Sequence, residues 1–299
     1  AASDVYKRQH LANIIEFHIR NIPYFCEVKS GGAYPALYPI LVTYIIVKVM
    51  DFSIWIQSPY DWGILFLSAL FVGISKTGIQ GLSLLAVPMM AVTFGAKPST
   101  GLILPILCLA DLMAVWYYRR IAEWQYVLKL LPSALVGFAV ALFVDKLVPP
   151  TEFKHLMGSC LLVVLLVMFW SDWKGKENSL SNHWWYGPLF GLMGGFTTMI
   201  GNAAGPVMAI YLLSVKMPKY NFVGTNAWFF LVVNYLKIPI QIFAWDNITL
   251  SSLMLDACTI PFIIIGGVLG IILVKKLPEK GFRYFTTAVT CLSVLMLLI

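Results

Sequence analysis

The chain has 299 residues, 60% of them hydrophobic and only 12% charged, with a formal net charge of +7. A soluble domain carries about 25% charged residues, so these few cannot cover a water-soluble globule, and the composition is that of an all-α polytopic membrane protein. The basic excess sits mainly in short connections between apolar runs, where it reads as a topology signal and not as a nucleic-acid surface.

The first 35 residues lack an uninterrupted apolar run, so no cleavable signal peptide is expected. Within an N-terminal extension, residues 1–59, the apolar stretch Ala36–Met50 is short for a span of ~20 residues and is closed by Lys48 and Asp51. An extra helix and an interfacial segment both fit it. A first transmembrane repeat, residues 60–173, holds a broken apolar run, Trp62–Phe94, then Thr100–Tyr118, Tyr126–Val144 and Phe153–Trp170. The polar stretch Ser171–His183 contains the linker, placed at 174–183. A second repeat, 184–299, runs through Trp184–Leu213, Phe222–Trp245, Leu250–Val274 and Phe282–Ile299.

The two halves match residue by residue. Gly73, Ala86, Pro88, Met90 and Ala91 recur 118 positions later as Gly191, Ala204, Pro206, Met208 and Ala209. Gly101 and Asp111 align with Gly224 and Asn234 at 123, and Pro132, Gly137, Lys146, Pro149 and Phe153 with Pro261, Gly266, Lys275, Pro278 and Phe282 at 129. The offset grows at connections, where insertions are tolerated. Each half therefore has a broken or hairpin helix pair followed by three transmembrane helices. One bent span per break gives eight core segments and parallel repeats; a hairpin gives ten and inverted repeats. The positive-inside rule places Arg119/Arg120, Lys174/Lys176, Lys216/Lys219 and Lys275/Lys276/Lys280/Arg283 on one side only if Trp184–Leu213 goes in and returns. That prefers inverted halves, although Lys146, Lys154 and His155 then face outside.

The breaks carry the chemistry. Gly73-Ile-Ser-Lys-Thr-Gly-Ile-Gln-Gly81 interrupts the first apolar run, and Gly191-Leu-Met-Gly-Gly-Phe-Thr-Thr-Met-Ile-Gly-Asn-Ala-Ala-Gly-Pro206 the second. Irregular backbone at membrane depth is tolerated where it lines a protected cavity, and paired breaks in two halves point to a transporter's binding site. A restarting helix offers unpaired N–H groups and a positive dipole end to an anion. Lys76, costing roughly 2.5–3.5 kcal/mol at the bilayer centre, would be offset by such an anion; snorkelling to an interface is the alternative. The expected substrate-binding set is Ser75, Lys76, Thr77, Gly78, Gln80, Gly81, Thr197, Thr198, Gly201, Asn202, Ala203 and Gly205, with Pro88 and Pro206 as hinges. Gly187-x-x-x-Gly191 and Gly266-Gly267-x-x-Gly270 read instead as helix-packing contacts.

Phe71-Val-Gly-Ile-Ser-Lys-Thr-Gly-Ile-Gln-Gly-Leu82, with Pro88 beyond it, resembles the N-terminal signature of the TauE/SafE sulfite exporter family of membrane transporters. Asp111-Leu-Met-Ala and Tyr117-Tyr-Arg-Arg-Ile-Ala-Glu-Trp124 are similar to its second block, and Asn234-Tyr-Leu-Lys-Ile-Pro239 to the counterpart in the other half. The resemblance covers residues 60–299. It implies movement of small sulfur-containing anions, such as sulfite or organosulfonates, across the cytoplasmic membrane. Gln80 and Ser83 depart from a glycine-richer form of the first motif, which bears on substrate preference.

Asp111 lies inside an apolar run, where a carboxylate is a functional candidate: a coupling-proton site, or an ion-pair partner for Lys76 or Lys237. Asn226, Asn234 and Lys237 join it as coupling or gating candidates, and Thr225 as a further pocket donor. Asp256 reads as a carboxylate near a helix start, favoured by the dipole. Trp62, Trp116, Tyr117, Trp124, Trp173, Trp184, Trp185 and Trp245 read mostly as an interfacial belt. The five cysteines and four histidines have no paired spacing, so neither a disulfide framework nor a metal site is expected, and no cofactor. Without an H-E-x-x-H helix, a G-x-S-x-G elbow or a P-loop, an enzyme is not expected either. The expectation is a multi-pass cell-membrane carrier of a small anion, with lipid and a second copy of the chain as partners. A passive anion channel, or a carrier of a carboxylate-type anion, is the alternative.

Overall fold

The computed structural model describes residues 52–78, 82–149, 151–174, 183–215 and 217–276, and all regular structure within them is helical. Segment 36–50, Gln80, Gly81, residues 175–182 of the linker and the last apolar run, Phe282–Ile299, lie outside the described residues. After a 3-10 turn at Phe52–Ile54 come α1 (Pro59–Thr77), α2 (Leu82–Phe94), α3 (Ala96–Tyr118), α4 (Trp124–Leu147) and α5 (Phe153–Lys174). Beyond the linker follow α6 (Tyr186–Gly201), α7 (Gly205–Ser214), α8 (Lys219–Phe243), α9 (Leu250–Ala257) and α10 (Ile260–Lys276). The first four residues of the polar stretch, Ser171–Lys174, continue α5.

Local chemistry sets the ends that matter. Pro59 opens α1, and the Asp61 carboxylate accepts the backbone N–H groups of Gln57 and Ser58 at 2.7 and 2.9 Å, satisfying donors a helix start leaves unpaired. α6 ends because Asn202 takes the left-handed conformation, φ 53°, which Asn tolerates better than most side chains. The interruptions are shorter than the glycine and polar runs that mark them: α1 stays helical through Gly73–Thr77 and α6 through Gly191–Gly201, and the helices restart at Leu82 and Gly205. At about 1.5 Å rise per residue, the 13 residues of α2 and the 10 of α7 are too short to cross ~30 Å of hydrocarbon.

A third break was not expected. Leu250–Val274 is not one helix: α9 and the stretch Ile260–Leu273 bend by 52° across Cys258 and Thr259. Pro261 supplies the cause, since its ring opposes the carbonyl of Ala257 and it has no N–H to continue the ladder. Thr259 Oγ1 instead donates to the Asp256 carbonyl at 2.6 Å. Asp256 therefore sits at the C-terminal end of α9, buried, and neither carboxylate oxygen has a hydrogen-bond partner among the described residues. The favourable-dipole reading of Asp256 is overturned, because a carboxylate there opposes the negative end of the helix.

Elements distant in sequence pack together: α1 lies on α10, α4 on α6, and α3 on α8 between them. Glycines allow the first two pairs to approach. A Cβ on Gly266 would overlap the Leu70 carbonyl and press on the Ile74 backbone, and one on Gly137 would overlap the Leu192 carbonyl. Gly191 and Gly270 sit against the backbone of α4 and α1 respectively, the helix-packing role read from their spacing.

The outer faces remain apolar. Leu128, Leu135, Val136 and Phe143 on α4 and Ile264, Ile265 and Val268 on α10 are exposed, a pattern suited to lipid and not to water. Among the described residues α3 and α4 are long and apolar enough to cross a membrane, and the bent pair α9–α10 makes a third. α1 and α8 have the length, but Asp61 and Lys76 in one and Asn226, Asn234 and Lys237 in the other reduce their apolarity. Trp116 and Trp184 are strongly exposed, as a belt requires, whereas Trp245 is buried edge-on against Phe153, ring centroids 5.7 Å apart.

Candidate functional site

The ends of both breaks meet around one cavity. Ser75 and Lys76 come from the last turn of α1, Ser83 from the first turn of α2, Thr198 from the end of α6, Asn202 from the second break and Gly205 from the first residue of α7. α3 contributes Leu107, and α8 contributes Asn226, Phe230 and Asn234. The hollow is small and partly open to solvent. The N-terminal ends of α2 and α7, the positive ends of their helix dipoles, thus border one polar hollow.

Two lysines and one aspartate govern its electrostatics. Lys76 Nζ lies 2.9 Å from Asp111 Oδ1 and 3.9 Å from the centroid of the Phe230 ring. With only 9% of its side chain exposed, Lys76 does not snorkel; the carboxylate and the ring face compensate its charge where it stands. Asn234 Nδ2 donates to Asp111 Oδ2 at 2.6 Å. Lys237 is fully buried and donates to the Thr198 carbonyl at 2.8 Å, to Thr198 Oγ1 at 3.2 Å and to Asn202 Oδ1 at 2.5 Å. It sits at the C-terminal end of α6, where a cation meets the negative end of the dipole. Its described partners are all neutral.

The other anticipated residues divide by what they touch. Ser75 Oγ donates to Ser83 Oγ across the first break at 3.0 Å. Thr77 is not at the cavity: its hydroxyl donates to Gly73 and Gly267 carbonyls at 3.0 and 2.7 Å, and Tyr118 Oη donates to its carbonyl at 3.0 Å. Gly78 packs against the Gly270 backbone and Gly201 against Met157. Thr197 donates to the Met193 and Gly194 carbonyls within its own helix, and Ala203 is buried. Thr225 accepts the Glu123 N–H at 2.9 Å, well placed to tie α8 to the start of α4. Pro88 lies within α2, and Pro206 in the first turn of α7, where its missing N–H costs little.

Leu107 and Phe230 were not anticipated. Phe230 stands four residues from both Asn226 and Asn234, and Leu107 four before Asp111; the helical i,i+4 neighbour rule puts each on the face already suspected. No polar signal marks either one. Asn202 Nδ2 reaches the Thr100 carbonyl at 3.4 Å, and beyond it Thr100, Gln241 and Asn247 form a buried hydrogen-bonded cluster. That cluster ends at Lys97, whose Nζ is 2.8 Å from both oxygens of Asp145. Among the described residues no group of His, Cys, Asp and Glu is placed to hold a metal ion.

Apolar outer faces, interrupted helices and buried charges around a central polar hollow define a helical membrane protein of transporter type. The model of the sulfite exporter TauE/SafE family matches residues 65–297, and the chain belongs to that family. No curated protein and no solved structure matches it.

Proposed function

We propose that the chain is a secondary transporter that exports small sulfur-containing anions, sulfite or organosulfonates, across the cell membrane by alternating access around the cavity between the two breaks. One observation carries the reading: Lys76, neutral donors and the N-termini of α2 and α7 converge on a single hollow. In this reading Ser75, Lys76, Thr198, Asn202 and Gly205 contact the anion. Gln80 and Gly81 join the substrate-binding set, Thr77, Gly78, Thr197, Gly201 and Ala203 hold the surrounding backbone, and Pro88 and Pro206 act as hinges. Asp111, Asn226, Asn234 and Lys237 serve coupling.

Inverted halves are part of the proposal, and the packing supports a two-fold relation. Gly137 and Gly266 are repeat mates at 129, Leu192 and Ile74 at 118, and Gly137 meets Leu192 as Gly266 meets Ile74. Asp111 and Asn234, mates at 123, touch each other, as residues beside the relating axis must. Two halves rocking about such an axis would expose the cavity to each side in turn.

The test is countertransport in proteoliposomes. Labelled sulfite inside should be driven out by unlabelled sulfite added outside, and Lys76→Met should abolish the exchange while the protein stays monodisperse. Flux that follows voltage with no exchange would establish the channel alternative instead.

A further inference from the structure

The charges around the cavity do not cancel, and their imbalance bears on what the site takes up. Asp111 is fully buried, with Lys76 Nζ 2.9 Å from Oδ1 as an ion pair and Asn234 Nδ2 donating to Oδ2, and a cation at this distance suits an ionised carboxylate. Lys237 contacts the Thr198 carbonyl, Thr198 Oγ1 and Asn202 Oδ1, three oxygens that the three donors of an ammonium fit. Lys76, Lys237 and Asp111 then sum to one positive charge in a low-dielectric interior, where uncompensated charge is costly.

Asn234 is suited to both protonation states of its neighbour. Its Nδ2 now donates to Asp111, while its buried Oδ1 has no hydrogen-bond partner among the described residues. A half-turn of the amide presents that oxygen to a carboxylic O–H, so Asp111 keeps a partner after taking a proton.

The other groups facing Asp111 are few. Lys76 comes from α1, Lys237 and Tyr235 from α8, and Cys108 from the preceding turn of α3. α2 has no titratable residue, and Lys275 and Lys276 are exposed at the end of α10. The remaining charged or titratable groups on neighbouring elements include Asp256 on α9 and Lys154 and His155 on α5.

We infer that Asp111 is a resident counter-anion of Lys76, and that a doubly charged oxyanion takes its place with uptake of one proton from solvent onto the Asp111 carboxylate. A singly charged anion neutralises the cluster by itself and binds with no proton. In both cases the occupied cluster has zero net charge: Lys76, Lys237 and a dianion with neutral Asp111, or Lys76, Lys237, ionised Asp111 and a monoanion. Dianion movement is thereby tied to one proton, and monoanion movement to none. The inference rests on the cavity being the anion site.

Titration calorimetry on the purified full chain tests it, at one pH in two buffers of different ionisation enthalpy. Sulfate is the dianion probe and methanesulfonate the monoanion, since neither changes its own protonation near neutral pH. The expected result is about one proton taken up per sulfate and none per methanesulfonate, with sulfate affinity falling about tenfold per unit rise in pH by linkage. Asp111→Asn should bind sulfate with no proton uptake and no such pH slope. Sulfate binding to the unaltered chain without proton uptake overturns the inference, as does uptake that persists in D111N; the first measurement needs no variant to fold. If neither anion binds the folded chain, the anion-site reading falls instead, and the inference with it.

Discussion

Removing Lys76 separates its structural role from its proposed role toward the anion. Lys76→Met leaves Asp111 buried with the Asn234 amide as its remaining described partner. Breaking a buried pair from one side costs about 3–5 kcal/mol, because a charge is left uncompensated. Replacing both partners by neutral groups is often close to neutral, so Lys76→Met/Asp111→Asn should recover most of that loss. The expected coupling is about 2–4 kcal/mol, and at 1.4 kcal/mol per factor of ten even its lower end is more than a tenfold change in the folded-to-unfolded ratio. The assay is reversible denaturation in detergent of the two single variants and the double variant, with sulfite exchange measured on each in proteoliposomes. Stability should return in the double variant while exchange stays absent. A double variant that exchanges sulfite like the unaltered chain would refute Lys76 as the anion's ligand. A K76M chain as stable as the double variant would refute the ion pair as the reason Lys76 is tolerated.

Other positions give independent checks. Gly205→Ala adds a Cβ that meets nothing within 4 Å, so stability should change by no more than about 0.5 kcal/mol, while exchange of bulkier sulfonates falls because Gly205 lines the cavity. Gly266→Ala should destabilise by roughly 1–3 kcal/mol, since its Cβ would overlap the Leu70 carbonyl on α1; an unchanged melting temperature would contradict that close approach. Asn202→Gly keeps the left-handed turn but removes an acceptor from Lys237, whereas Asn202→Ala also strains the turn. The Ala variant should therefore be the less stable by about 1 kcal/mol or more, a difference that thermal denaturation of the pair would reveal. Asp256→Asn should cost no stability, because no hydrogen bond to the carboxylate among the described residues is lost; a drop of several kcal/mol would mean that the carboxylate has a partner elsewhere.

Much of the plan was written in local chemistry. Composition alone required a membrane, because 12% charged residues cannot coat a soluble surface. Glycine and polar clusters pointed to the neighbourhood of both breaks, although Gly73–Thr77 and Gly191–Gly201 remain helical. The repeat offsets made Asp111 and Asn234 equivalent positions, and the fold brings the two to 2.6 Å. The third break escaped because Leu250–Val274 is apolar throughout, and Pro261 is ambiguous between a kink and a helix start.

What the sequence determined by itself is the medium, the interrupted helices and the residue types that an anion would need, all consequences of composition and short-range pattern. Only the tertiary structure decided their company. Lys76 meets Asp111 from 35 residues away, and Lys237 reaches Thr198 and Asn202 across 39 and 35. Gly78 and Thr77, predicted to face a ligand, face α10 instead. A glycine that admits a substrate and one that admits a neighbouring helix look alike in sequence, because both are read from a missing side chain. Which atoms fill that space is set by long-range packing, and that packing also brings two lysines and one aspartate together beside the hollow.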